Sequence, residues 1–541
     1  RRPIRGDPPP MRKAIAGLIL IAAGVGLGLA VLHPKAPPPP GSMLRARLNA
    51  DIASSDPGMK RDANTDAVLL HVVEGLVAVR EDGSIGPMLA SGWTVSPDGR
   101  TYRFALRHGV HFHNGALLTS ADVKWSLDRY LAPGSIWRCK PDLSAKGIAA
   151  VTAVRTPDPD TVEIVLDRPA PLFLPTLARL DCGSTGISHR ASVGPDGKWR
   201  YPIGTGPFRW GEWRHSQYVD LVKFDGHQPL PGGTDGNAGG KHALVDRIRF
   251  SVIPDGSAAS AALLRGSLDV LDALAPNELG TIEGAPGIKL DSAKSSDFYG
   301  ILLQTGRPPL TDVRLRRALA LSIDVAALTR VVTHGTGVPD SSPIPVVNAF
   351  HGPAEQVLVK RDLATARALV RASGYRGEPI QLLTSHSPPE MYDAAILVQA
   401  MARDAGINVQ VVILDWATQL SLYSSGDYQA TMFGFSARLD PSLMYNVLIG
   451  DRAVDPRKVW NSPEAIDLLH QSVVTGDRAE RQKILDTLEQ KFRADVPAIV
   501  LYNTRRVTAL RAPVTGYRSW AAQTQRLWNV GLANTGSGGA R

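Results

Sequence analysis

Strand-like and helix-like segments alternate along almost the whole chain, and this alternation limits the fold more than any other feature of the sequence. In the first half, the half-buried strand pattern of TYRFALRHGV precedes the amphipathic helix pattern of LTSADVKWSLDRYL. In the second half, PIQLLTS and INVQVVIL alternate with helical segments that end at Gly374 and Gly406. Such alternation predicts an α/β protein with partly parallel sheets, in which ligands bind at the ends of strands.

The length of the chain requires more than one hydrophobic core. Single cores stop growing at roughly 250–300 residues, whereas the chain has 541 residues. We therefore expect at least two lobes. A cleft between two lobes is a favoured site for a ligand.

An uncharged apolar run, Ala14–Leu32, follows Arg12 and Lys13 and precedes a proline-rich linker. This order is typical of a secretory signal peptide. Its length also approaches the roughly 20 residues that span a bilayer, so an uncleaved membrane anchor is the alternative. Residues 1–41 are thus predicted to hold upstream residues, a signal or anchor, and a linker, while residues 534–541 form a flexible tail. We expect an exported, periplasmic protein.

Cys139 and Cys182 are the only cysteines of the chain. In an oxidising compartment, an isolated pair is more often bridged than free. We predict a disulfide, which would stabilise the fold by roughly 3–4 kcal/mol on a chain-entropy model. Two buried thiols are the alternative.

Charge and motifs argue against several classes of function. The net charge is +9, but the basic residues are scattered and form no nucleic-acid-binding motif. The patterns GxSxG, HExxH and GxxxxGK do not occur, so we predict neither an enzyme nor a cofactor. His111 and His113 share one strand face at a spacing that could hold a metal. Because no further clustered ligand is visible, we predict no metal site, and we interpret His113, which Asn114 and Gly115 follow, as structural.

Six blocks of sequence resemble the extracytoplasmic solute-binding proteins of the peptide/nickel ABC transporter family, known as family 5. The resemblance extends from about residue 46 to residue 533, with the blocks in the family's order and spacing. The blocks are MLASGWTVSPDGRTYRFALRHGVHFHNGALLTSADVKWSLDR, PIGTGPF, VIPDGSAASAALLRGSLDVL, TDVRLRRALALSID, AGINVQVVILDWATQL and DVPAIVLYNTRRVTALRAPVTGY.

The resemblance implies the two-lobed periplasmic-binding-protein fold of type II, in its large peptide-binding class, with mixed sheets and an extra subdomain in the first lobe. Lobe I would comprise residues 44–296 plus 499–533 and lobe II residues 297–498, with chain crossings near Ser296–Tyr299 and Ala498–Tyr502. A monomer of this kind would capture a peptide or peptide-like solute and deliver it to the permease subunits of an ABC importer. The alternatives are a membrane-tethered sensor or scaffold, a binder of nickel or another non-peptide solute, and a hydrolase that shares the fold.

The segment GFSARLDP departs from the pattern of the peptide-binding members. These often carry GW-x-x-D-x-x-D-P, whose first aspartate pairs with the α-ammonium group of the ligand. Here Phe435 replaces the tryptophan, Arg438 stands at the aspartate's place, and one residue is missing before Asp440. Arg438 either faces the cleft, where a guanidinium would repel an α-ammonium and pair with carboxylate or phosphate, or turns to solvent. In the second case, Asp440 or backbone carbonyls would lie near the ligand, although Asp440 also suits the N-cap of the next helix.

Aromatic side chains complete the set of candidate ligand-binding residues. Trp416 follows a strand end, where the family often places an aromatic residue near the cleft, and Trp137 lies on the loop that the disulfide would stiffen. Rings of this kind suit a variable ligand, whereas ordinary packing is the alternative for both tryptophans. The candidates are therefore Arg438, Phe435, Ser436, Trp416, Asp440 and Trp137.

Overall fold

The computed structural model describes residues 42–533, apart from residues 61, 146, 387, 388, 437, 439 and 523. The predictions for residues 1–41 and 534–541 lie outside the described residues. Within the described part of the chain, none of the helices has the length and hydropathy of a membrane span.

Strands and helices alternate through the described residues. The strands are β1 (Met43–Leu48), β2 (Val77–Val79), β3 (Ile85–Pro87), β4 (Ala90–Val95), β5 (Thr101–Leu106), β6 (Val151–Asp158), β7 (Thr161–Leu166), β8 (Phe208–Arg214), β9 (Tyr218–Lys223), β10 (Thr234–Asp235), β11 (Ala238–Gly239), β12 (Arg247–Val252), β13 (Val270–Leu271), β14 (Ile288–Lys294), β15 (Phe298–Leu303), β16 (Val338–Pro339), β17 (Ile380–Thr384), β18 (Val409–Ile413), β19 (Ala430–Phe435), β20 (Ala498–Asn503), β21 (Arg505–Arg511), β22 (Val514–Thr515) and β23 (Gly531–Leu532). The helices are α1 (Ala63–Leu69), α2 (Ser120–Leu131), α3 (Phe173–Ala178), α4 (Gly256–Leu264), α5 (Leu279–Ile282), α6 (Val313–Ser322), α7 (Val325–Val332), α8 (Leu363–Ser373), α9 (Pro389–Asp404), α10 (Trp416–Ser425), α11 (Pro441–Asn446), α12 (Pro463–Val474) and α13 (Arg478–Asp495), with 3-10 turns at Leu180–Thr185, Arg190–Ser192 and Pro276–Glu278.

The first large sheet has seven strands in the order β14-β21-β13-β1-β12-β9-β8. Strand β1 is parallel to β12 and β13, whereas the other pairs are antiparallel. A separate four-stranded sheet, β4-β5-β7-β6, packs with α2 and forms the predicted extra subdomain. We use lobe I for residues 42–295 and 505–533, which are built on these two sheets.

The second large sheet has six strands in the order β16-β20-β15-β19-β17-β18. It is also mixed, since β17 runs parallel to β18 and β19 while β15 runs antiparallel to β19 and β20. Both of its faces are covered. Along β15, Ile301 and Leu303 enter one hydrophobic core, whereas Phe298 and Leu302 enter the core on the opposite face, as the two-residue period of a strand requires. We use lobe II for residues 298–503.

The structure corrects the predicted position of the second chain crossing. Residues 499–503 were assigned to lobe I, but they belong to β20, which pairs with β15 and β16 of lobe II. The chain crosses at Thr504, directly before β21 pairs with β13 and β14. The two crossings are bonded to each other, because the carboxylate of Asp297 accepts hydrogen bonds from the Thr504 amide at 2.8 Å and the Thr504 hydroxyl at 2.5 Å.

Candidate functional site

A cavity of about 490 Å³ lies between the two lobes and is lined by residues of both. Lobe I contributes the turn between β2 and β3, the buried Asp66 of α1, and the segment Arg179–Asp181. Lobe II contributes the loop Asn348–Phe350, the start of α13 and the segment that follows β19. The predicted ligand cleft is therefore present as a cavity between the two sheets.

Arg438 lines this cavity, so the first of its two predicted orientations is the one found. Its side chain is half-buried. Among the described residues, its guanidinium has no hydrogen bond and no ion pair. Burial is the main cause that lowers the pKa of Arg438 below its ordinary value, and Asp181 opposes this effect while Arg179 and Arg138 add to it. The side chain thus reaches the charged segment of lobe I without being neutralised by it.

The surroundings of Arg438 in lobe II are also cationic. The pKa of Lys458 falls to about 8, chiefly through burial, and Arg438 is one of the like charges that lower it. The Lys458 ammonium donates to the backbone carbonyl of Asn446. Within lobe II, a carboxylate placed at Arg438 would therefore also meet the positive charge of Lys458.

Asp440 also lines the cavity, but its carboxylate is already engaged. It caps α11 by accepting a hydrogen bond from the Ser442 amide at 2.9 Å, as the Asp-Pro sequence predicted. It also accepts a hydrogen bond from the Arg481 guanidinium at 2.6 Å. The role of Asp440 visible in the structure is to fix the start of α11 and the position of Arg481.

Ser436 lines the cavity with an exposed side chain, whereas the aromatic candidates do not line it. Phe435 is 5% exposed and packs in the core of lobe II, because alternation along β19 turns it away from the side of Ser436. Trp416, at the first position of α10, is 37% exposed and contacts Phe433 with ring centroids 5.6 Å apart. Ser436, Arg438 and Asp440 are thus the candidates that the structure brings together.

Trp137 belongs to the core of lobe I. Its side chain is 1% exposed, stacks on Tyr130 and donates a hydrogen bond from Nε1 to the carbonyl of Cys182 at 3.0 Å. Cys139 and Cys182 form the predicted disulfide, with Cα atoms 5.6 Å apart. Trp137 therefore supports the disulfide rather than the ligand.

His113 has the structural role that was predicted for it. Its Nε2 atom is 3.0 Å from the carbonyl of Gly206, and its Nδ1 atom accepts from the Gly204 amide at 3.2 Å. Burial lowers the pKa of His113 to about 4, so the ring is neutral at physiological pH. Over the residues that the structure describes, no group of three or more His, Cys, Asp or Glu side chains is arranged to hold a metal ion.

Several cavity residues were not found from the sequence. Arg179 and Asp181 lie beside Cys182 in the sequence, and a charged pair next to a predicted disulfide was a signal that could have located them. Arg506 follows the second crossing directly and also lines the cavity. Phe350 lies in a loop whose sequence carries no comparable signal.

Two mixed α/β lobes with a cavity between them that is lined by charged side chains of both are the arrangement of a two-lobed solute-binding protein. The model of the family described as bacterial extracellular solute-binding proteins, family 5, matches residues 84–453. The chain belongs to this family. Its members are extracytoplasmic solute receptors that work with the permeases of ABC transporters and are binding proteins rather than enzymes, which confirms the predicted class, fold and absence of an enzymatic role.

Similar proteins span nearly the same length. The glutathione-binding protein GsiB of Pectobacterium atrosepticum is 26% identical over 483 residues, which cover 87% of this chain and 90% of that protein. The dipeptide-binding protein of Escherichia coli K12 is 25% identical over 488 residues, 85% of this chain and 88% of the relative. The solved structure of AgaA from A. tumefaciens R10 with agropinic acid is 26% identical, has a TM-score of 0.73 and matches 91% of this chain and 98% of AgaA.

Proposed function

We propose that the protein captures a small peptide-like solute with a carboxylate at the end that lies nearest Arg438, and delivers it to the permease of an ABC importer. It acts in the periplasm as a monomer, and residues 14–32 serve as a signal or a tether. The observation that carries the proposal is a guanidinium that lines the cavity and lacks an ion pair within the described residues. Such a group favours a carboxylate, which it can bind through two parallel hydrogen bonds.

The other cavity arginines have partners already. Arg481 is bonded to Asp440, and Arg506 is paired with Asp272. Arg478 donates to the Ala349 carbonyl at 3.1 Å and lies over the Phe350 ring. Arg179 is paired with Asp181 and Asp142. Arg438 alone of the five cavity arginines has no such contact in the described structure, so a ligand anion would replace its lost hydration without breaking an existing bond.

The ligands named for some of the similar proteins support the proposal of an acidic ligand. Glutathione and agropinic acid, named for two of the similar proteins, are carboxylic acids. The dipeptide-binding relative, by its name, takes a dipeptide. An α-ammonium placed against Arg438 would meet a like charge in a partly desolvated site, so we expect this chain to disfavour it.

Titration calorimetry with dialanine, N-succinyl-dialanine and glutathione tests the proposal. The wild-type protein should bind the two ligands that carry an additional carboxylate more tightly than dialanine. Arg438→Ala should weaken their binding about a hundredfold, as expected for the loss of one partner of a desolvated charge pair. Arg438→Lys should retain part of the affinity, since lysine keeps the charge but not the bidentate geometry.

Arg478→Ala is the matched control, because it removes another cavity arginine that already has contacts. We expect its effect on the same ligands to be several times smaller. Equal affinities of the wild type and Arg438→Ala for every ligand that binds would refute the role of Arg438.

A further inference from the structure

A second cavity lies beside the two chain crossings, and we call it the crossing cavity. Its volume is about 220 Å³, compared with about 490 Å³ for the cavity that contains Arg438. Lobe I lines it with residues 273–276 and 505–507, and lobe II lines it with residues that include Tyr299, Tyr502 and Glu390. Among the described residues, only Arg506 lines both cavities, so the two are separate spaces.

Two stacked tyrosines form part of the wall of the crossing cavity. Tyr299 and Tyr502 are paired on β15 and β20, and their rings are parallel to within 4° with centroids 5.2 Å apart. Tyr502 is 1% exposed, and its hydroxyl has no hydrogen-bond partner in the described part of the chain. A buried hydroxyl without a partner is costly in free energy, so a polar group of a ligand bonded to it would remove that cost.

Glu390, at the start of α9, brings a carboxylate to the same cavity. Its side chain is half-buried, and within the described residues it has no ion pair and no hydrogen bond from another side chain. Burial raises the pKa of Glu390 and Asp393 adds to this effect, whereas the backbone amide of Glu390 and the charge of His334 oppose it. A partly desolvated carboxylate without an ion pair favours a cation beside it.

The charges around the Tyr502 hydroxyl are negative as well. Burial raises the pKa of Tyr502, and the carboxylates of Glu390, Asp297 and Asp393 raise it further. Because the charged groups that act on this hydroxyl are carboxylates, a positively charged hydrogen-bond donor is the partner that suits it.

The two arginines that line the crossing cavity are in contact with other groups. Arg506 is held in its bidentate pair with Asp272. Arg505 donates to the Ser292 hydroxyl of β14 at 3.3 Å. Much of the remaining wall in lobe I is apolar, with Ala273, Leu274, Ala275, Pro276 and Val507. The cavity thus combines an acidic side with an apolar side.

We propose that the crossing cavity binds a small organic ammonium ion, with its charged group at Glu390 and the Tyr502 hydroxyl and its carbon chain against the apolar wall of lobe I. An ammonium group offers three donors and no acceptor, which suits an unpaired carboxylate and a phenolic oxygen. Because both lobes line the cavity, an occupant contacts both of them, and its affinity depends on their arrangement. The site is separate from Arg438, so the inference does not rest on the proposed function.

Propylammonium and 1-propanol are matched probes, because they have nearly the same size and differ in charge. Saturation-transfer difference NMR measures their dissociation constants at mildly alkaline pH and constant ionic strength. Wild type should bind propylammonium with a dissociation constant on the order of 1–10 mM, as expected for so small a ligand. We expect 1-propanol to bind about tenfold more weakly, and Glu390→Gln, which keeps the shape but removes the charge, should weaken propylammonium binding about tenfold.

Two further variants locate the site. Tyr502→Phe should weaken propylammonium binding about fivefold, because it removes one hydrogen bond. It should not lower the thermal unfolding midpoint, since the hydroxyl has no partner in the described structure. Asp393→Asn is the matched control, because Asp393 is exposed and lies on the same helix as Glu390 but does not line the cavity. Its effect on the affinity should be about twofold or less.

Four results would overturn the inference. They are undetectable binding of propylammonium to wild type, equal affinities of wild type for the two probes, an affinity for propylammonium that is unchanged in Glu390→Gln or in Tyr502→Phe, and a loss in Asp393→Asn as large as that in Glu390→Gln. None of them bears on the proposed function, because none involves the cavity that contains Arg438.

Discussion

Replacing Arg506 with alanine is expected to lower the free energy of unfolding by about 3–5 kcal/mol. Arg506 makes a bidentate ion pair with Asp272, which is 7% exposed. Burial alone would raise the pKa of Asp272, but Arg506 holds this pKa below its ordinary value. Without the guanidinium, the hydroxyl of Thr508, at 2.8 Å, would be the nearest side-chain donor to a buried carboxylate. Equilibrium unfolding in urea measures the loss.

The neighbouring residue supplies the control for this substitution. Arg505 is half-buried, and its guanidinium donates to the Ser292 hydroxyl at a long 3.3 Å. Arg505→Ala should change the free energy of unfolding by about 0.5 kcal/mol or less. Combining Arg506→Met with Asp272→Leu should recover much of the loss, because an apolar pair removes the uncompensated charge. If the two single alanine variants are equally stable, the pair does not stabilise lobe I in the way proposed.

Acid is expected to destabilise the protein below pH 6.5, and His71 should account for about 1.4 kcal/mol of this loss per pH unit. His71 is fully buried, and burial lowers its pKa from 6.5 to about 3. Its Nδ1 atom lies 2.8 Å from the Ala67 carbonyl, and Nε2 accepts from the Leu527 amide at 2.9 Å. These contacts require a neutral ring.

The direction of this pH effect follows from the number of protons that the folded and unfolded states bind. Between pH 6.5 and about 3, the unfolded chain protonates this ring and the folded protein does not, so the unfolded state binds more protons. The contribution of His71 to the free energy of unfolding is therefore complete above pH 6.5 and is lost as the pH falls from 6.5 to about 3.

His71→Gln should reduce the slope of the unfolding free energy against pH by about 1.4 kcal/mol per pH unit. His108→Gln, at a histidine whose side chain is 81% exposed, is the matched control. If wild type and His71→Gln show the same slope, the neutral, buried His71 ring is not a source of the pH-dependent stability.

The class of fold followed from the sequence because its determinants are local. Asp440-Pro441 predicted the start of α11, and Gly374 predicted the end of α8, where the glycine adopts a positive φ of 74°. The amphipathic pattern of residues 310–332 predicts a single helix. The structure divides this segment into α6 and α7, since the side chain of Asp324 caps a second helix by accepting from the Ala327 amide. A strong N-cap inside an apolar pattern therefore outweighs the periodicity around it.

The candidate site was predicted less completely, because a cavity is made by residues far apart in the sequence. The family resemblance located the segment with Ser436 and Arg438, but it could not show which side chains of a strand end face the cleft. Phe435 therefore entered the candidate list although it points into the core. Asp181 was missed because it lies far from Arg438 in the sequence, although both residues line the cavity.

Trp137 is a second candidate whose burial could not be predicted from the sequence. Its position next to Cys139 was correctly associated with the disulfide, but the sequence did not indicate that the indole would be enclosed beneath it. Its hydrogen bond to Cys182 and its stacking on Tyr130 account for this burial. The ring therefore supports the segment next to Asp181, a residue of the cavity wall, without lining the cavity itself.

Native mass spectrometry of the purified protein tests the central claim most directly, because a closed binding protein can retain its solute during purification. We expect wild type to carry a small molecule that has at least one carboxyl group, and the Arg438→Ala variant purified from the same cells to lack it. Recovery of the same molecule in equal yield from both proteins, or of a ligand with no acidic group from wild type, would contradict the account.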